Sequence, residues 1–528
     1  MPLRLIWVLI LLLLTAACAG TSETTVTNRI VYGLTLQPSG FDPHIHASSE
    51  LGIPLRSVYD TLIYRDPATG DFVPGLANSW TLSADGLVYT FALKQGVKFH
   101  DGTDFNAQAV GANLDRITNP DTGSQKAAFM LGSYTGYEIV DAYTIRLLLA
   151  EPYSPLLDSL CQVYLGMASP AALSAYSNER YQFNQVGTGP FRFVEYIPGN
   201  RLVIRRNHEY AWGPAFYTLP TADSVEEIEF RFFTDAATRA LALESGEAQI
   251  MGEIPPVDAR ALSANQEMEL IPVAIPGQPL QFLMNTSRFP TDSLEFRRAL
   301  LFATNRQAIV DGVFQRYSPI AYAPIAAATQ YFNAELVGSY AYDPGQARSL
   351  LSAIGFADSD NNGFLDFAGT EISITLIAPT WGMIPETAQL LQDQWREVGL
   401  RVVIESTPSR NTLIETANSG NYNLIAYYDF GRDPAFLNRY FTSDGSTNWT
   451  RFTNSDLDRN LREAERTSDS TARASLYAQT ERIITEQALI LPIRDYVNLN
   501  AARSNVRNLT FDAYGWFPLL NNVTLSSE

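Results

Sequence analysis

The chain has 528 residues, of which 46% are hydrophobic, and a formal net charge of −19. A chain of this length exceeds what one hydrophobic core organises, so we expect two or three domains, and its hydrophobic content excludes broad disorder. The negative charge excludes nucleic acid as a partner, because binding to phosphates requires clustered cations.

The N-terminal segment has the pattern of a secretion signal. Arg4 is the only charged side chain before the apolar run 5–14, which is shorter than the about 20 residues that span a bilayer. Small residues then lead into Cys18, a pattern that resembles a bacterial lipobox. We predict a signal peptide over 1–17, a lipid on Cys18 and a flexible tether over 18–28. The alternative is an ordinary signal peptide with a cysteine nearby.

The elements predicted after the tether begin with a strand at 30–36, which runs into an Asp-Pro loop. Two short strands, 80–82 and 87–93, are joined by a turn that contains Asp-Gly, a strong hairpin signal. A helix opens near Asn106. Further along, we predict a strand at 225–232, helices at 235–244, 295–311 and 471–486, a strand at 490–495, and a β-α-β unit formed by 372–376, 385–398 and 401–405.

Catalytic motifs are absent from the sequence, which contains no G-x-S-x-G, H-E-x-x-H or G-x-x-x-x-G-K-[ST] pattern. His44 and His46 could present two imidazoles to a metal. No cysteine or carboxylate cluster completes such a site beside them, and we predict two exposed loop histidines. Cys161 lies among apolar residues and predicts a buried, inert thiol. We therefore expect a protein that is not an enzyme and holds no cofactor, apart from the calcium considered below.

Three segments together resemble a known family. The run 74–110, with its hairpin, turn and helix, and the blocks 187–191 and 207–212 are similar to signature segments of extracellular solute-binding protein family 5. These proteins serve oligopeptide, dipeptide and nickel ABC importers. The resemblance extends from about residue 31 to about 495 and implies an α/β fold of two lobes, periplasmic-binding-protein-like and of the class II or cluster C type, with the ligand enclosed between the lobes.

The same resemblance implies a domain layout. Lobe I would span 29–275 and carry an inserted subdomain at about 58–168. Lobe II would span 276–495, and residues 496–528 would return to lobe I.

The resemblance also indicates where a ligand would bind. In peptide-binding members, an aspartate four residues before the proline of a Glu-Pro or Asp-Pro pair captures the peptide's α-amino group. The matching loop is 427–434, in which Phe430 occupies that position and Asp429 lies one residue earlier. Dipeptide binders also use an arginine near the start of the preceding helix to hold the ligand's carboxylate, and the corresponding stretch 378–385 contains none. Both departures count against a short peptide.

Aromatic side chains instead predict an aromatic-walled pocket, because they offer apolar area with a polar tip. For each of them, packing between strands is the alternative. The predicted ligand-binding residues are Gln37 and Phe41 in the first loop, the aromatic residues Trp381, Tyr427, Tyr428 and Phe430, and the polar anchors Asp429 and Arg432.

One loop resembles the first half of an EF-hand. Asp358, Asp360, Asn362 and Asp366 stand at ligand positions, but Gly369 replaces the expected bidentate glutamate. Structural Ca²⁺ and a plain Asp/Asn/Gly turn are the two interpretations, and we favour the turn.

Together these features predict an extracytoplasmic substrate-binding lipoprotein of an ABC importer. It would capture oligopeptides, or a similar solute, and deliver them to membrane permease subunits. We expect a monomer anchored by Cys18 to the outer face of the cytoplasmic membrane, or periplasmic. The alternatives are a receptor of the same fold for oligosaccharides or a metal chelate, and a ligand-sensing lipoprotein. The sequence contains only four histidines, which disfavours the metal chelate.

Overall fold

The structure, a computed structural model, describes residues 28–526. The predicted signal peptide and Cys18 lie outside the described residues. Two mixed sheets with helices around them form two lobes, as expected from the resemblance. Within the described range, no helix combines the length and the apolar character needed to cross a membrane.

A seven-stranded sheet forms the centre of lobe I. Its first strand in the chain lies in the interior of the sheet and runs parallel to both neighbours. The strands, from edge to edge, are Met268–Ala274, Val497–Arg503, Ile250–Met251, Arg29–Leu34, Glu227–Phe232, Arg201–Arg206 and Phe191–Ile197. Since a strand from near the C-terminus lies inside this sheet, the chain returns to lobe I after building lobe II.

A four-stranded antiparallel sheet is inserted between the first strand and the rest of lobe I. Its strands, in spatial order, are Ala77–Leu82, Val88–Leu93, Thr144–Leu149 and Tyr134–Asp141. The predicted hairpin is confirmed, and Gly86 adopts φ 74° in its turn, a conformation that glycine adopts readily. The predicted helix is also confirmed as Ala107–Thr118, with the Asn106 side chain accepting a hydrogen bond from the Ala109 amide (3.0 Å).

Lobe II is built on a five-stranded sheet. In spatial order its strands are Arg401–Thr407, Ser373–Pro379, Leu424–Ala426, Leu280–Met284 and Ile490–Arg494. The first two are parallel, and helix Ile384–Arg396 connects them, which confirms the predicted β-α-β unit. The chain crosses between the lobes near 275–279 and again near 495–496, so these two segments form the hinge.

One helix prediction was wrong. The stretch 295–311 forms two helices, Leu294–Phe302 and Arg306–Gly312. Asn305 interrupts it, because its side chain accepts a hydrogen bond from the Ala308 amide (3.0 Å) and so caps a new helix. The Trp395 indole donates to the Thr304 hydroxyl (3.0 Å) and holds the break in place.

The prediction of two exposed histidines was also wrong. His44 is fully buried, with Nε2 2.9 Å from the Gly166 carbonyl oxygen and Nδ1 2.9 Å from the Arg116 guanidinium. Burial, followed by the charge of Arg116, lowers the pKa of His44 to about 4, so it is a neutral core residue. His46 is partly exposed beside the Ser39 hydroxyl (3.2 Å). Cys161 is buried, as predicted.

Further helices and short strands cover the sheets. The helices are Gly52–Leu55, Ala127–Met130, Leu156–Ser159, Pro170–Ala175, Asn178–Tyr181, Arg239–Glu244, Pro256–Ala264, Pro344–Ala353, Arg410–Ser419, Leu437–Phe441, Ser455–Arg466 and Ser470–Glu486. The short strands are Ile63–Arg65, Phe72–Pro74, Phe356–Ala357, Asp366–Phe367, Thr370–Glu371, Val506–Arg507 and Thr524–Leu525.

Candidate functional site

The loop 427–434 follows strand Leu424–Ala426 of lobe II and reaches the hinge. The Gln278 amide donates to the Asp429 carbonyl oxygen (2.8 Å), and the Asp429 amide donates to Gln278 Oε1 (3.0 Å). At Gly277, which has φ 140°, a Cβ atom would lie 2.5 Å from the same carbonyl oxygen. Glycine therefore allows the hinge and the loop to approach closely.

A buried ion pair fixes the other end of this loop. Arg473 donates to both oxygens of Asp433 at 2.8 and 2.9 Å, and both side chains are buried. A bidentate pair of this kind has a defined geometry. The loop is thus held at both ends, so its side chains are presented in fixed positions.

Asp429 is already bonded within its own lobe. One of its carboxylate oxygens, Oδ2, accepts hydrogen bonds from the Arg439 guanidinium and from the Tyr440 hydroxyl, the latter at 3.1 Å. Both members of the ion pair remain partly exposed. The carboxylate therefore orients Arg439 before any ligand is present.

Lys126 of lobe I lies within electrostatic range of this pair. Its Nζ lies 4.0 Å from the centroid of the Tyr164 ring, a cation–π contact. Burial lowers the pKa of Lys126 to about 8; the charge of Asp429 opposes this shift, whereas Arg439 and Arg410 add to it. Lys126, Arg410, Asp429 and Arg439 thus form one group within electrostatic range, which we name the charge cluster.

The two arginines of the charge cluster rest on aromatic rings. The Arg439 guanidinium carbon lies 5.7 Å from the Tyr440 ring of lobe II and 5.8 Å from the Phe129 ring of lobe I. The Arg410 guanidinium carbon lies 5.6 Å from the Tyr427 ring. The cluster therefore joins residues of both lobes across the cleft between them.

Three rings of the predicted aromatic wall are exposed or partly exposed. Trp381 and Phe430 are each 38% exposed, and Tyr428 is partly exposed. Phe430 packs 4.9 Å from Tyr496 of the hinge and stacks 5.4 Å from Trp516 of the segment that returns to lobe I. Phe430 therefore borders the hinge.

Other predicted ligand-binding residues lie elsewhere. Phe41 is fully buried in the lobe I core, 4.8 Å from Tyr196, and Gln37 is exposed beside Gly199. Tyr427 is 9% exposed and packs within lobe II. Arg432 donates to the Ala513 carbonyl oxygen (3.2 Å) and so connects lobe II to the returning segment of lobe I. In this arrangement Phe41 is a core residue and Arg432 braces the two lobes.

Two carboxyl groups meet on the lobe I side of the hinge. The Thr35 hydroxyl lies 3.2 Å from Glu50 Oε1 and 2.5 Å from Glu253 Oε2, and the Tyr496 hydroxyl donates to the other oxygen of Glu253 (3.2 Å). Burial, reinforced by the charge of Glu253, raises the pKa of Glu50 well above its usual range. The Thr35 hydroxyl has one proton to donate, and the raised pKa of Glu50 favours a protonated carboxyl group there.

The EF-hand-like loop contains hydrogen bonds between its own residues. Carboxylate oxygens of Asp358, Asp360 and Asp366 lie within 4.8 Å of one another. Asp358 accepts hydrogen bonds from the Asn362 amide (3.1 Å) and the Gly363 amide (3.0 Å). These bonds reach amides four and five residues along the chain and hold the loop closed, and calcium binding stays a prediction.

Sequence reasoning missed three residues of the charge cluster: Lys126, Arg410 and Arg439. None of them lies in a motif, and Lys126 comes from a different lobe. Lys126 had one available signal, since the only lysines are Lys94, Lys98 and Lys126. Its position opposite Asp429 is visible only after folding.

A sequence model described as "Bacterial extracellular solute-binding proteins, family 5 Middle" matches residues 71–448. The chain belongs to this family. The expected membership is confirmed, and the protein is therefore a solute-binding protein of the extracytoplasmic space.

Curated relatives and a solved structure agree with this membership. The chain is 31% identical to the glutathione-binding protein GsiB of Salmonella typhi over 432 residues, 79% of each chain. It is 28% identical to di/tripeptide-binding protein 1 of Pseudomonas aeruginosa over 533 residues, 95% of each. The crystal structure of NikA from Brucella suis in complex with Fe(III)-EDTA superposes on this chain with a TM-score of 0.84 at 23% identity. The superposition covers 94% of this chain and 100% of NikA, so the two proteins share the two-lobed fold.

Proposed function

We propose that this protein captures short peptides between its lobes and delivers them to the permease of an ABC importer. The observation that carries the proposal is the charge cluster, in which Arg439 of lobe II, paired with Asp429, contacts the Phe129 ring of lobe I and lies within electrostatic range of Lys126. A ligand held there contacts charged groups of both lobes. The printed names of the relatives, which bind glutathione or di- and tripeptides, support a peptide.

Capture would work by closure of the two lobes. A ligand shifts the open–closed equilibrium only by its greater affinity for the closed form. Contacts to both lobes supply that difference, since an open form separates Lys126 from Arg439 and leaves the ligand bound to one lobe only. A dissociation constant near micromolar, about −8 kcal/mol, would suit a receptor that must later release its cargo.

The cellular setting is part of the same proposal. Lipidation of Cys18 would hold the monomeric protein on the outer face of the cytoplasmic membrane. Permease subunits would then receive the closed, loaded form, and the protein itself would perform no chemistry. The exposed rings of Trp381 and Phe430 would pack against peptide side chains.

Native mass spectrometry of the mature protein, purified gently from its host, tests the proposal. We expect added mass from short peptides of mixed sequence, or from one peptide-like compound such as glutathione. A bound oligosaccharide or metal chelate would contradict the peptide assignment. If no mass is bound, calorimetric titration with glutathione and with a set of di- and tripeptides decides, and failure of all of them to bind would overturn the proposal.

A further inference from the structure

We infer that contacts between the lobes, outside the charge cluster, form a latch that stabilises the closed protein whichever solute it holds. The latch joins residues 151–154 of lobe I, which follow strand Thr144–Leu149, to residues 465–467 of lobe II, at the C-terminal end of helix Ser455–Arg466. None of these residues is among the predicted ligand-binding residues or in the charge cluster, so the inference does not rest on the proposed peptide ligand.

Hydrogen bonds to the end of the lobe II helix form the first part of the latch. The last carbonyl groups of an α-helix have no partner within the helix. The Ala464 carbonyl oxygen accepts a hydrogen bond from Arg473 Nε of the same lobe (2.9 Å). The Glu465 carbonyl oxygen instead accepts one from the Ser154 amide of lobe I (2.8 Å), and the Ser154 hydroxyl donates to the Thr467 carbonyl oxygen. One residue of lobe I thus bonds to two carbonyl groups at the end of a lobe II helix.

An ion pair forms the second part of the latch. Arg466 Nη2 lies 2.5 Å from Glu151 Oε2, and both side chains are half-exposed. The turn that carries Glu151 is fixed within lobe I, because the Ser133 hydroxyl donates to the Glu151 carbonyl oxygen (2.6 Å) and the Ala150 amide donates to the Ser133 carbonyl oxygen (2.8 Å). The lobe I half of the latch is therefore held in position by its own lobe.

Opening of the cleft separates the latch, since one half moves with each lobe. Its contacts are between protein groups only, so their free energy favours the closed form equally for every solute and for the unliganded protein. The apparent dissociation constant of any ligand rises when the closed form that binds it becomes rarer. Loss of the latch should therefore weaken the binding of all ligands by one common factor, whereas a change at a ligand-contacting residue alters discrimination between ligands.

Isothermal titration with two different peptides tests this common factor. Ser154→Ala removes one hydrogen bond between the lobes, and Arg466→Glu replaces the attraction to Glu151 with a repulsion. We expect each substitution to weaken the binding of glutathione and of Ala-Ala-Ala about 5-fold. The ratio of the two dissociation constants should stay within about 2-fold of the wild-type ratio.

Two further variants control the experiment. Glu151→Arg combined with Arg466→Glu restores an ion pair of reversed sign and should return both affinities to within about 2-fold of the wild type. Arg462→Glu makes the same change on the same helix, but Arg462 pairs with Asp444 of its own lobe (2.8 Å), so it should leave both affinities unchanged. Thermal unfolding confirms that each variant is folded.

Hydrogen–deuterium exchange of the Ser154 amide reports closure without any ligand, because its bond to the Glu465 carbonyl oxygen exists only in the closed form. Mass spectrometry of overlapping peptides measures this exchange. We expect the unliganded wild type to exchange more slowly than Arg466→Glu, by up to about 5-fold, and the reversed pair to restore the slow exchange.

Wild-type affinities in Ser154→Ala and Arg466→Glu, or a change of more than about 3-fold in the ratio of the two dissociation constants, would overturn the inference while leaving peptide capture intact. If neither peptide binds the wild type, the proposed function fails and the exchange measurement alone decides the latch. Equal exchange of the Ser154 amide in the wild type and in Arg466→Glu would then overturn the latch as well.

Discussion

Replacing Asp429 with asparagine separates two roles for this residue, because the substitution removes the charge and keeps the shape. If Asp429 held a ligand ammonium group at about 4 Å, the attraction would be about 4 kcal/mol at an effective dielectric constant of 20. The carboxylate is partly exposed and also bonds to Arg439, so we expect about half of this attraction, about 2 kcal/mol, which corresponds to about 30-fold in affinity. If Asp429 only positions Arg439, the loss of affinity caused by the substitution does not depend on whether the ligand has a free amino group.

The assay compares a free tripeptide with its N-acetylated form in the wild type and in Asp429→Asn. We expect the ratio of the two dissociation constants to change by less than about 3-fold on substitution, since both peptides keep their carboxylates. A selective loss of about 30-fold for the free-amine peptide would refute the positioning role. It would also restore Asp429 as the amino-group anchor.

A second readout follows the charge of Lys126 directly. Asp429 is the group that holds the pKa of Lys126 up against burial, so its neutralisation should lower this pKa further below about 8. With Lys94, Lys98 and Lys126 as the only lysines, ¹³C NMR of the reductively methylated protein can resolve the titration. An unchanged Lys126 titration in Asp429→Asn would show that the two residues do not interact across the cleft.

Three other measurements test lobe II. Burial raises the pKa of Glu481 from 4.5 to about 8, so the wild type should lose stability as the pH rises from about 4.5 to about 8. Glu481→Gln should remove this loss, which is at most about 5 kcal/mol at 1.36 kcal/mol per pKa unit. Parallel curves of unfolding free energy against pH for the two proteins would contradict the expectation. Arg473→Met leaves Asp433 buried and unpaired and should cost about 3–5 kcal/mol of unfolding free energy by denaturant titration; a loss below about 1 kcal/mol would contradict that. Millimolar Ca²⁺ should leave the melting temperature unchanged if the Asp358 loop is a turn, whereas a rise that Asp358→Asn abolishes would establish a calcium site.

Local signals in the sequence determined much of the framework. The Asp85-Gly86 turn and the Asn106 cap act within a few residues of the backbone they organise, so the hairpin and the helix could be predicted from neighbours alone. The β-α-β unit of lobe II followed in the same way, from a helical pattern between two apolar strands. The combined segments were also distinctive enough to predict the family and, through it, the two-lobed fold.

Tertiary structure decided what depends on contacts between distant residues. The break at Asn305 in the helix expected over 295–311 is held in place by the bond from Trp395 to Thr304. His44 is buried where Arg116 and the Gly166 carbonyl come to it from other segments.

The charge cluster is the clearest case. Lys126 carries no local mark of its role, and its pKa depends on Asp429 and two arginines of the other lobe. Sequence alone determined the family and the loop that presents Asp429. Only the packing of the two lobes decided which charges lie within electrostatic range of one another, because electrostatic interactions depend on distance in space and not on separation along the chain.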